Sequence, residues 1–168
     1  MTLRIERFDE TSQVQLIGPL TALLHEAYRP LAEGGLGYLA SHQDERTTLK
    51  RLKQGESFLA FWGGQLAGTI YLYPPKEDSP CEHYRKPGVY SFGQFAVSPD
   101  LQGRGIGEAL LKFVEQRARE LGATEIAMDT AEGATVLIAM YSRHGYRNVG
   151  SVQWSVTNYM SVVMSKPL

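Results

Sequence analysis

A strand, a glycine-rich turn and a long amphipathic helix follow one another in the middle of the chain, and this succession constrains the fold more than any other feature. The strand is predicted over residues 89–97, and the turn reads Gln102-Gly103-Arg104-Gly105-Ile106-Gly107. Apolar residues then recur at three- and four-residue steps over 105–121, which places them on one helical face. A strand that leads into such a helix predicts an α/β protein in which the helix packs on a sheet.

The segments on both sides of this unit predict the rest of the sheet. Before it we expect a strand over 3–8 and a helix over 11–28 that Pro19 splits or shifts. The proline and glycines over 30–37 interrupt the helical pattern. A helix over 44–54 and a hairpin over 57–73 that turns at Gly63-Gly64 are expected to follow. After it we expect a strand over 124–130, a helix over 133–144, and an antiparallel pair over 146–156 and 159–165. This order predicts a mixed, mostly antiparallel central sheet of about seven strands flanked by about four helices.

Two acid–base pairs are predicted on the wet face of the central helix. Glu108 with Lys112 and Glu115 with Arg119 have the i,i+4 spacing of pairs that stabilise an exposed helix surface. Gly122 follows as the expected helix stop.

Composition limits the size, the partners and the compartment. A chain of 168 residues suits a single domain over residues 1–168. Seventeen Lys and Arg against eighteen Asp and Glu give a net charge of −1, which disfavours nucleic acid and anionic membranes as partners. One cysteine, Cys81, excludes an intramolecular disulfide and a multi-cysteine metal site. No signal peptide or spanning segment is expected, so the sequence predicts a cytoplasmic protein.

The glycine-rich turn at the start of a helix has the properties of an anion site. Backbone N–H groups there have no partners within the helix, the helix dipole adds positive potential, and Arg104 can add a charge-assisted contact. A dinucleotide-binding fingerprint starting at Gly103 would need a glycine where Glu108 stands, and the Lys-Ser or Lys-Thr pair of a nucleotide-binding P-loop is absent. Both of those phosphate sites are therefore excluded.

The same segment resembles motif A of the GNAT N-acetyltransferase superfamily, whose Gln/Arg-x-x-Gly-x-Gly/Ala pattern is met by Gln102, Gly105 and Gly107. The preceding run Ala96-Val97-Ser98-Pro99 and the later run Met140-Tyr141-Ser142-Arg143-His144-Gly145-Tyr146 also fall where that superfamily has them. The predicted order of elements fits the superfamily along almost the whole chain.

The resemblance implies binding of acetyl-CoA as the acyl donor, with no metal, in a sheet that splays open between the strand ending near Val97 and the strand ending near Asp129. The implied pyrophosphate site consists of Gln102, Gly103, Arg104, Gly105, Ile106 and Gly107. The backbone of Phe95, Ala96 and Val97 would pair with the pantetheine arm as another strand does. A homodimer is common in families of this kind.

Tyr141 matches the superfamily tyrosine whose hydroxyl sits near the CoA sulfur. The departing thiolate needs a proton, and a phenol with a pKa of about 10 can protonate a thiolate whose thiol has a pKa of about 8.5. The implied role is general acid; the alternative is that Tyr141 merely packs its helix.

Two departures from the family pattern leave parts of the site open. Some relatives carry a glutamate base on the strand before motif A, whereas the strand over 90–95 carries no carboxylate here. Ala134 stands where relatives often have an asparagine that contacts pantetheine. A base for the attacking amine must then come from elsewhere or from a water chain. The candidates are Asp129, Glu132, His25, His42 and Glu33. Each has a structural alternative: a capping or turn role for Asp129, a solvated carboxylate for the two glutamates, and a surface imidazole for the two histidines.

Several aromatic residues are candidates for the acceptor pocket. They are Tyr28, Tyr38, Trp154 and Tyr159, with His42 beside them. Cys81, in the irregular loop over 74–87, has no placed base and is expected to be a bystander.

The sequence therefore predicts an enzyme that transfers an acetyl group from acetyl-CoA to a primary amine by direct attack in a ternary complex. The amine acceptor, a small molecule or a peptide, is left open. The alternative function is an acyl-CoA-binding regulatory or sensor module with little turnover. A third possibility is transfer to a hydroxyl group, or transfer of a longer acyl chain.

Overall fold

Seven strands and five helices account for most of residues 1–168, all of which the computed structural model describes. The elements before the central crossover are β1 (Leu3–Arg7), α1 (Glu10–Gln13), α2 (Ile17–Glu33), α3 (Glu45–Leu52), β2 (Glu56–Trp62), β3 (Gln65–Tyr73) and β4 (Val89–Val97). The elements that follow are α4 (Ile106–Glu120), β5 (Glu125–Ala131), α5 (Thr135–Arg143), β6 (Arg147–Val152) and β7 (Ser161–Pro167). Helix α1 is a single turn, so the predicted number of strands and of longer helices is confirmed.

One sheet contains all seven strands in the order β1-β2-β3-β4-β5-β7-β6. Every neighbouring pair is antiparallel except β4 and β5, which are parallel. That parallel ladder is short: it runs from Val89 opposite Glu125 to Ser91 opposite Ala127. Beyond these residues the two strands separate, so the predicted splay of the sheet lies between the C-terminal ends of β4 and β5.

Helices cover both faces of the sheet. Phe58, Ile70 and Leu72 pack with the buried side of α4, whereas Leu59 and Tyr71, which alternate with them, pack with α2. The alternation follows from the two-residue period of a strand, which sends successive side chains to opposite faces. Strands β2 and β3 are accordingly buried almost along their whole length, between two apolar layers.

The turn between β2 and β3 has the predicted form. Gly63 and Gly64 both have positive φ, at 55° and 83°. These are the angles that a two-residue hairpin turn requires and that residues with a Cβ adopt at a cost.

The first helical segment differs from its prediction at both ends. Asp9 caps α1, so the helical segment begins before residue 11, and a 3₁₀ turn at Val14–Leu16 precedes α2. Pro19 lies in the first turn of α2, where its missing N–H needs no partner. Helix α2 also continues through Pro30 to Glu33, although a proline at this position removes the backbone hydrogen bond to the carbonyl of residue 26.

Glu115 does not lie on the wet face of α4, and that prediction is wrong. Its side chain is buried, accepts a hydrogen bond of 2.8 Å from Tyr146 Oη, and accepts one of 3.1 Å from Lys166 Nζ. The chain after α5 covers this part of the helix, which the helical period alone does not reveal. Glu108 and Lys112 form the predicted exposed pair at 3.3 Å.

No helix of the structure is both long and apolar enough to span a bilayer.

Candidate active site

A cavity of about 1290 Å³ lies where β4 and β5 separate. It extends from the glycine-rich turn before α4 to the tyrosines of α2 and of the loop after β6. The sequence-predicted residues that line it are Phe95, Ala96, Val97, Gln102, Gly103, Gly105, Ile106, Gly107 and Tyr141. Arg104 does not line the cavity, because its guanidinium lies 6.0 Å from the centre of the Trp62 ring. The structure therefore brings together all the predicted site residues except Arg104.

The glycine-rich turn presents an open helix N-terminus to the cavity. Gly103 and Gly105 have φ angles of 79° and 80°, in the left-handed region that favours glycine. Gly105 caps α4 without a side-chain hydrogen bond, and a Cβ built on either glycine would meet no atom within 4 Å. The free N–H groups of the first helical turn therefore face space that a phosphate group can enter.

The edge of β4 beside the cavity has no neighbouring strand. Ser98 N–H donates a 2.7 Å hydrogen bond to Ala67 O of β3. Since backbone groups alternate along an antiparallel ladder, those of Ala96 also point to β3, and those of Phe95 and Val97 point to the open edge. The carbonyl oxygen of Phe95 already accepts a 3.1 Å hydrogen bond there from Tyr28 Oη.

A β-bulge bends β4 at the cavity. Two residues of β4, Gln94 and Phe95, lie opposite the single residue Ile70 of β3, and Gln94 has a φ of 50°. A non-glycine residue in this region costs on the order of 1 kcal/mol, and bulges of this kind often redirect side chains beside active sites. Here the bulge directs the buried side chain of Gln94 towards Arg51 on α3.

Tyr141 lies on α5 at the floor of the cavity. Its ring packs against Phe92 and Tyr146, with centroids 6.0 Å and 5.9 Å away. The hydroxyl makes no hydrogen bond within the protein, yet it is not among the fully enclosed polar atoms without a partner, so it opens onto the cavity. Burial raises the pKa of Tyr141 well above its usual value, which keeps the phenol protonated at neutral pH.

Three tyrosines form a wall on the other side of the cavity. The rings of Tyr28 and Tyr38 are 5.3 Å apart, and those of Tyr38 and Tyr159 are 5.0 Å apart. Tyr38 Oη accepts a 3.0 Å hydrogen bond from Ala131 N–H and lies 2.6 Å from Thr130 Oγ1. These contacts join the wall to the C-terminal end of β5. Burial raises the pKa of all three tyrosines.

Asp129 is the one base candidate of the sequence that lines the cavity. Its Oδ1 accepts a 2.6 Å hydrogen bond from Tyr84 Oη, and its Oδ2 accepts a 2.8 Å bond from Trp154 Nε1. Burial raises the pKa of Asp129, although these two hydrogen bonds act in the opposite direction.

The other base candidates lie elsewhere. His25 Nε2 contacts the backbone oxygen of Gln43 at 2.6 Å, whereas His42, Glu33 and Glu132 are exposed and do not line the cavity.

Cys81 and Ala134 are both buried, and neither lines the cavity. Cys81 packs in a small core with Tyr84 and Val152 and does not line the cavity, and burial raises the pKa of its thiol. Ala134 caps α5 without a side-chain hydrogen bond, so the family's asparagine contact has no replacement at this position.

Arg51 on α3 also lines the cavity, and the sequence did not indicate it as a site residue. Its Nη1 donates to Gln43 Oε1 at 3.1 Å. With the Gln94 amide turned so that its oxygen faces the guanidinium, that oxygen accepts from Nη1 at 3.0 Å and from Nη2 at 3.3 Å. No motif marks Arg51; only the bulge of β4 and the packing of α3 bring it to the cavity.

Comparisons with known proteins agree with this architecture. The Acetyltransferase (GNAT) family model matches residues 21–146. The S-(2-succino)cysteine N-acetyltransferase of Bacillus subtilis is 30% identical over 151 residues, which are 89% of this chain and 88% of that protein. The S-alkylcysteine N-acetyltransferase of the same organism is 25% identical over 76% of this chain and 71% of its own.

Solved structures share the fold at lower identity. The PaiA N-acetyltransferase of Thermoplasma acidophilum in complex with coenzyme A has a TM-score of 0.75 at 14% identity and covers 100% of both chains. A GNAT family acetyltransferase of Elizabethkingia anophelis with acetyl-CoA bound has a TM-score of 0.68 at 17% identity, covering 99% of this chain and 98% of its own. The chain therefore belongs to the GNAT family and is an N-acetyltransferase, as its glycine-rich turn implied.

Proposed function

We propose that this N-acetyltransferase binds acetyl-CoA along the open edge of β4 and transfers the acetyl group to the primary amine of a small molecule in the tyrosine-walled half of the cavity. One observation carries the proposal: the unpartnered hydroxyl of Tyr141 opens onto the cavity that joins the glycine-rich turn to that wall. The names of the two cysteine-derivative acetyltransferases of Bacillus subtilis support a small acceptor. The ribosomal-protein-S18-alanine N-acetyltransferase of Escherichia coli shares the fold at 15% identity, and its name indicates a protein acceptor, which is the alternative to a small molecule.

The donor half would hold acetyl-CoA by backbone groups. The pyrophosphate accepts from the free N–H groups at the start of α4, with Gly103 and Gly105 leaving the space it needs. The pantetheine amides pair with the backbone of Phe95 and Val97, the two residues whose groups point to the open edge. Arg104 reaches a phosphate only after leaving the Trp62 ring.

The chemistry would begin with direct attack of the neutral amine on the thioester carbonyl carbon. A backbone N–H at the open edge of β4 donates to the carbonyl oxygen as negative charge develops on it. The carbon–sulfur bond then breaks, and Tyr141 gives its proton to the departing thiolate. Burial raises its pKa, so the phenol is protonated and available when the thiolate forms, although the same shift makes it a weaker acid.

The proposed setting is the cytoplasm, with residues 1–168 acting as one domain. The lone thiol of Cys81 is buried with no disulfide partner, which is compatible with a reducing compartment.

Acetyl-CoA titration by calorimetry, followed by an acceptor screen that records thiol release and product mass together, tests the proposal. We expect saturable acetyl-CoA binding and at least one amine that releases CoA faster than hydrolysis does, with an N-acetylated product. Binding without turnover on any amine would instead support the regulatory, acyl-CoA-binding alternative.

A further inference from the structure

We propose that the acceptor is a free α-amino acid, held as a zwitterion with its carboxylate on Arg51 and its ammonium group on Asp129. This inference rests on the proposed function and names the substrate class of the same cavity.

Arg51 is a cation that lines the cavity without a counter-charge. Its hydrogen-bond partners, Gln43 and Gln94, are neutral amides, and no carboxylate lies within 4.0 Å of the guanidinium. The other partly buried arginine of this chain, Arg117, is paired with a carboxylate: it makes two short hydrogen bonds to Glu56. Desolvating a guanidinium without a counter-ion is costly, so its retention in a cavity points to an anionic ligand.

The surroundings of Arg51 hold it in place for that ligand. Gln43 is itself buried and donates a 2.9 Å hydrogen bond to Thr48 Oγ1, while Gln94 sits in the strained bulge of β4. The two glutamines do not use every N–H group of the guanidinium, so an incoming carboxylate in the cavity can accept from the remaining ones.

Asp129 is the complementary charge in the same cavity. Its two hydrogen bonds come from neutral donors, Tyr84 and Trp154, and no Lys, Arg or His lies within 4.0 Å of its carboxylate. Each carboxylate oxygen keeps further acceptor capacity. A primary ammonium group is the ligand that meets this capacity.

The two charges share the cavity without neutralising each other. Arg51 is near enough to lower the pKa of Asp129, yet the two side chains form no salt bridge. A ligand that places an anion and a cation side by side fits such a pair. A polyamine, an aminoglycoside or a lysine side chain would offer only cations, and would leave Arg51 unpaired or repelled.

The transfer balances with these residues. Asp129 accepts one proton from the ammonium group, and the neutral amine attacks the acetyl carbon. The tetrahedral intermediate that forms loses its excess N–H proton to water, the carbon–sulfur bond breaks, and the thiolate takes the Tyr141 proton. The products are an N-acetyl amino acid and CoA; Asp129 releases its proton to solvent, and Tyr141 is reprotonated from solvent.

The test compares three matched acceptor sets with the full-length wild-type protein: the twenty common L-amino acids, their α-carboxamides, and the corresponding decarboxylated amines. We expect at least one free amino acid to exceed its carboxamide and its amine by roughly tenfold or more in kcat/KM, the scale of one charge-assisted contact. Equal or better turnover of the carboxamides or amines would overturn the amino acid proposal and leave the N-acetyltransferase function standing. If no compound in any set is acetylated, both fail.

Two variants locate the selectivity. Arg51→Gln is expected to remove the preference for the free carboxylate, mainly through a higher KM for the amino acid, with acetyl-CoA affinity unchanged. Arg46→Gln removes an exposed charge from the same helix outside the cavity and is the matched control. If Arg51→Gln unfolds, Arg51→Lys keeps the charge without the forked geometry and should show a reduced preference. A preference that survives unaltered in a folded Arg51 variant would overturn the assignment.

Discussion

Gly105 and Gly122 stand at the two ends of helix α4 in the same left-handed conformation, with φ angles of 80° and 88°. A Cβ on either residue would meet no atom within 4 Å. The two positions differ in surroundings, because Gly105 borders the cavity and Gly122 does not.

This pair gives a controlled test of the donor site. Gly105→Val and Gly122→Val should each destabilise the fold by about 1–2 kcal/mol, the cost of a left-handed residue with a Cβ. Only Gly105→Val should weaken acetyl-CoA binding, by roughly tenfold or more, since its side chain occupies the phosphate space. Calorimetry together with denaturant unfolding separates the two effects. Normal acetyl-CoA affinity in a folded Gly105→Val protein would rule out the proposed phosphate site.

Tyr141 and Tyr146 provide a second matched pair. Both are buried and their rings pack together, but Tyr146 Oη donates to Glu115 away from the cavity. We expect Tyr141→Phe to lower kcat by on the order of 10²-fold with acetyl-CoA affinity unchanged, as for the loss of a general acid. Tyr146→Phe should retain the rate and lose about 1 kcal/mol of stability instead. An unchanged kcat for Tyr141→Phe across the pH range would remove that residue from the acid role.

If Asp129 is the base, the pH profile of kcat/KM should have an acidic limb. A base must be ionised to accept a proton, so kcat/KM should fall as the pH falls through the pKa of Asp129, which burial raises above its usual value. Tyr141, with its strongly raised pKa, adds no alkaline limb near neutral pH. In Asp129→Asn the rate should drop and the acidic limb should vanish. The same limb persisting in that variant would assign it to another group.

The ion pair between Arg117 and Glu56 predicts a pH dependence of stability. Arg117 Nε and Nη2 contact the two oxygens of Glu56 at 2.7 Å and 2.8 Å, which joins α4 to β2 and lowers the pKa of Glu56. A lowered folded-state pKa stabilises the fold above the unfolded value of about 4.3 and loses that contribution as the pH falls.

Glu56→Gln should therefore cost about 1 kcal/mol at pH 7, with the difference from wild type shrinking towards pH 3. Glu120→Gln, which removes a more exposed contact of 3.2 Å to the same arginine, should cost less than about 0.5 kcal/mol. Urea unfolding of both variants at the two pH values measures this, and a constant difference between pH 7 and pH 3 would contradict it.

Local patterns were sufficient to predict the elements that build the donor half of the site. The bounds of β4, the Gly63-Gly64 turn and the apolar face of α4 all follow from short-range chemistry, and so does the open helix N-terminus. The environments of Arg51 and Glu115 do not, because contacts between residues far apart in the chain decide them. The glycine-rich turn was therefore readable from the sequence, whereas the charge pair of the acceptor half was not.

The three-residue parallel ladder between β4 and β5 also bears on how the chain folds. Strands β1 to β4 form one antiparallel unit and β5 to β7 another, and residues 88–91 and 124–127 join their backbones. The β2–β3 and β6–β7 hairpins close short loops, whereas this junction needs the whole α4 crossover in place first. We expect the β2–β3 and β6–β7 hairpins to acquire amide protection before the junction does, so that pulsed hydrogen exchange finds the inter-strand amides of residues 89–91 and 125–127 protected later than the amides of those hairpins.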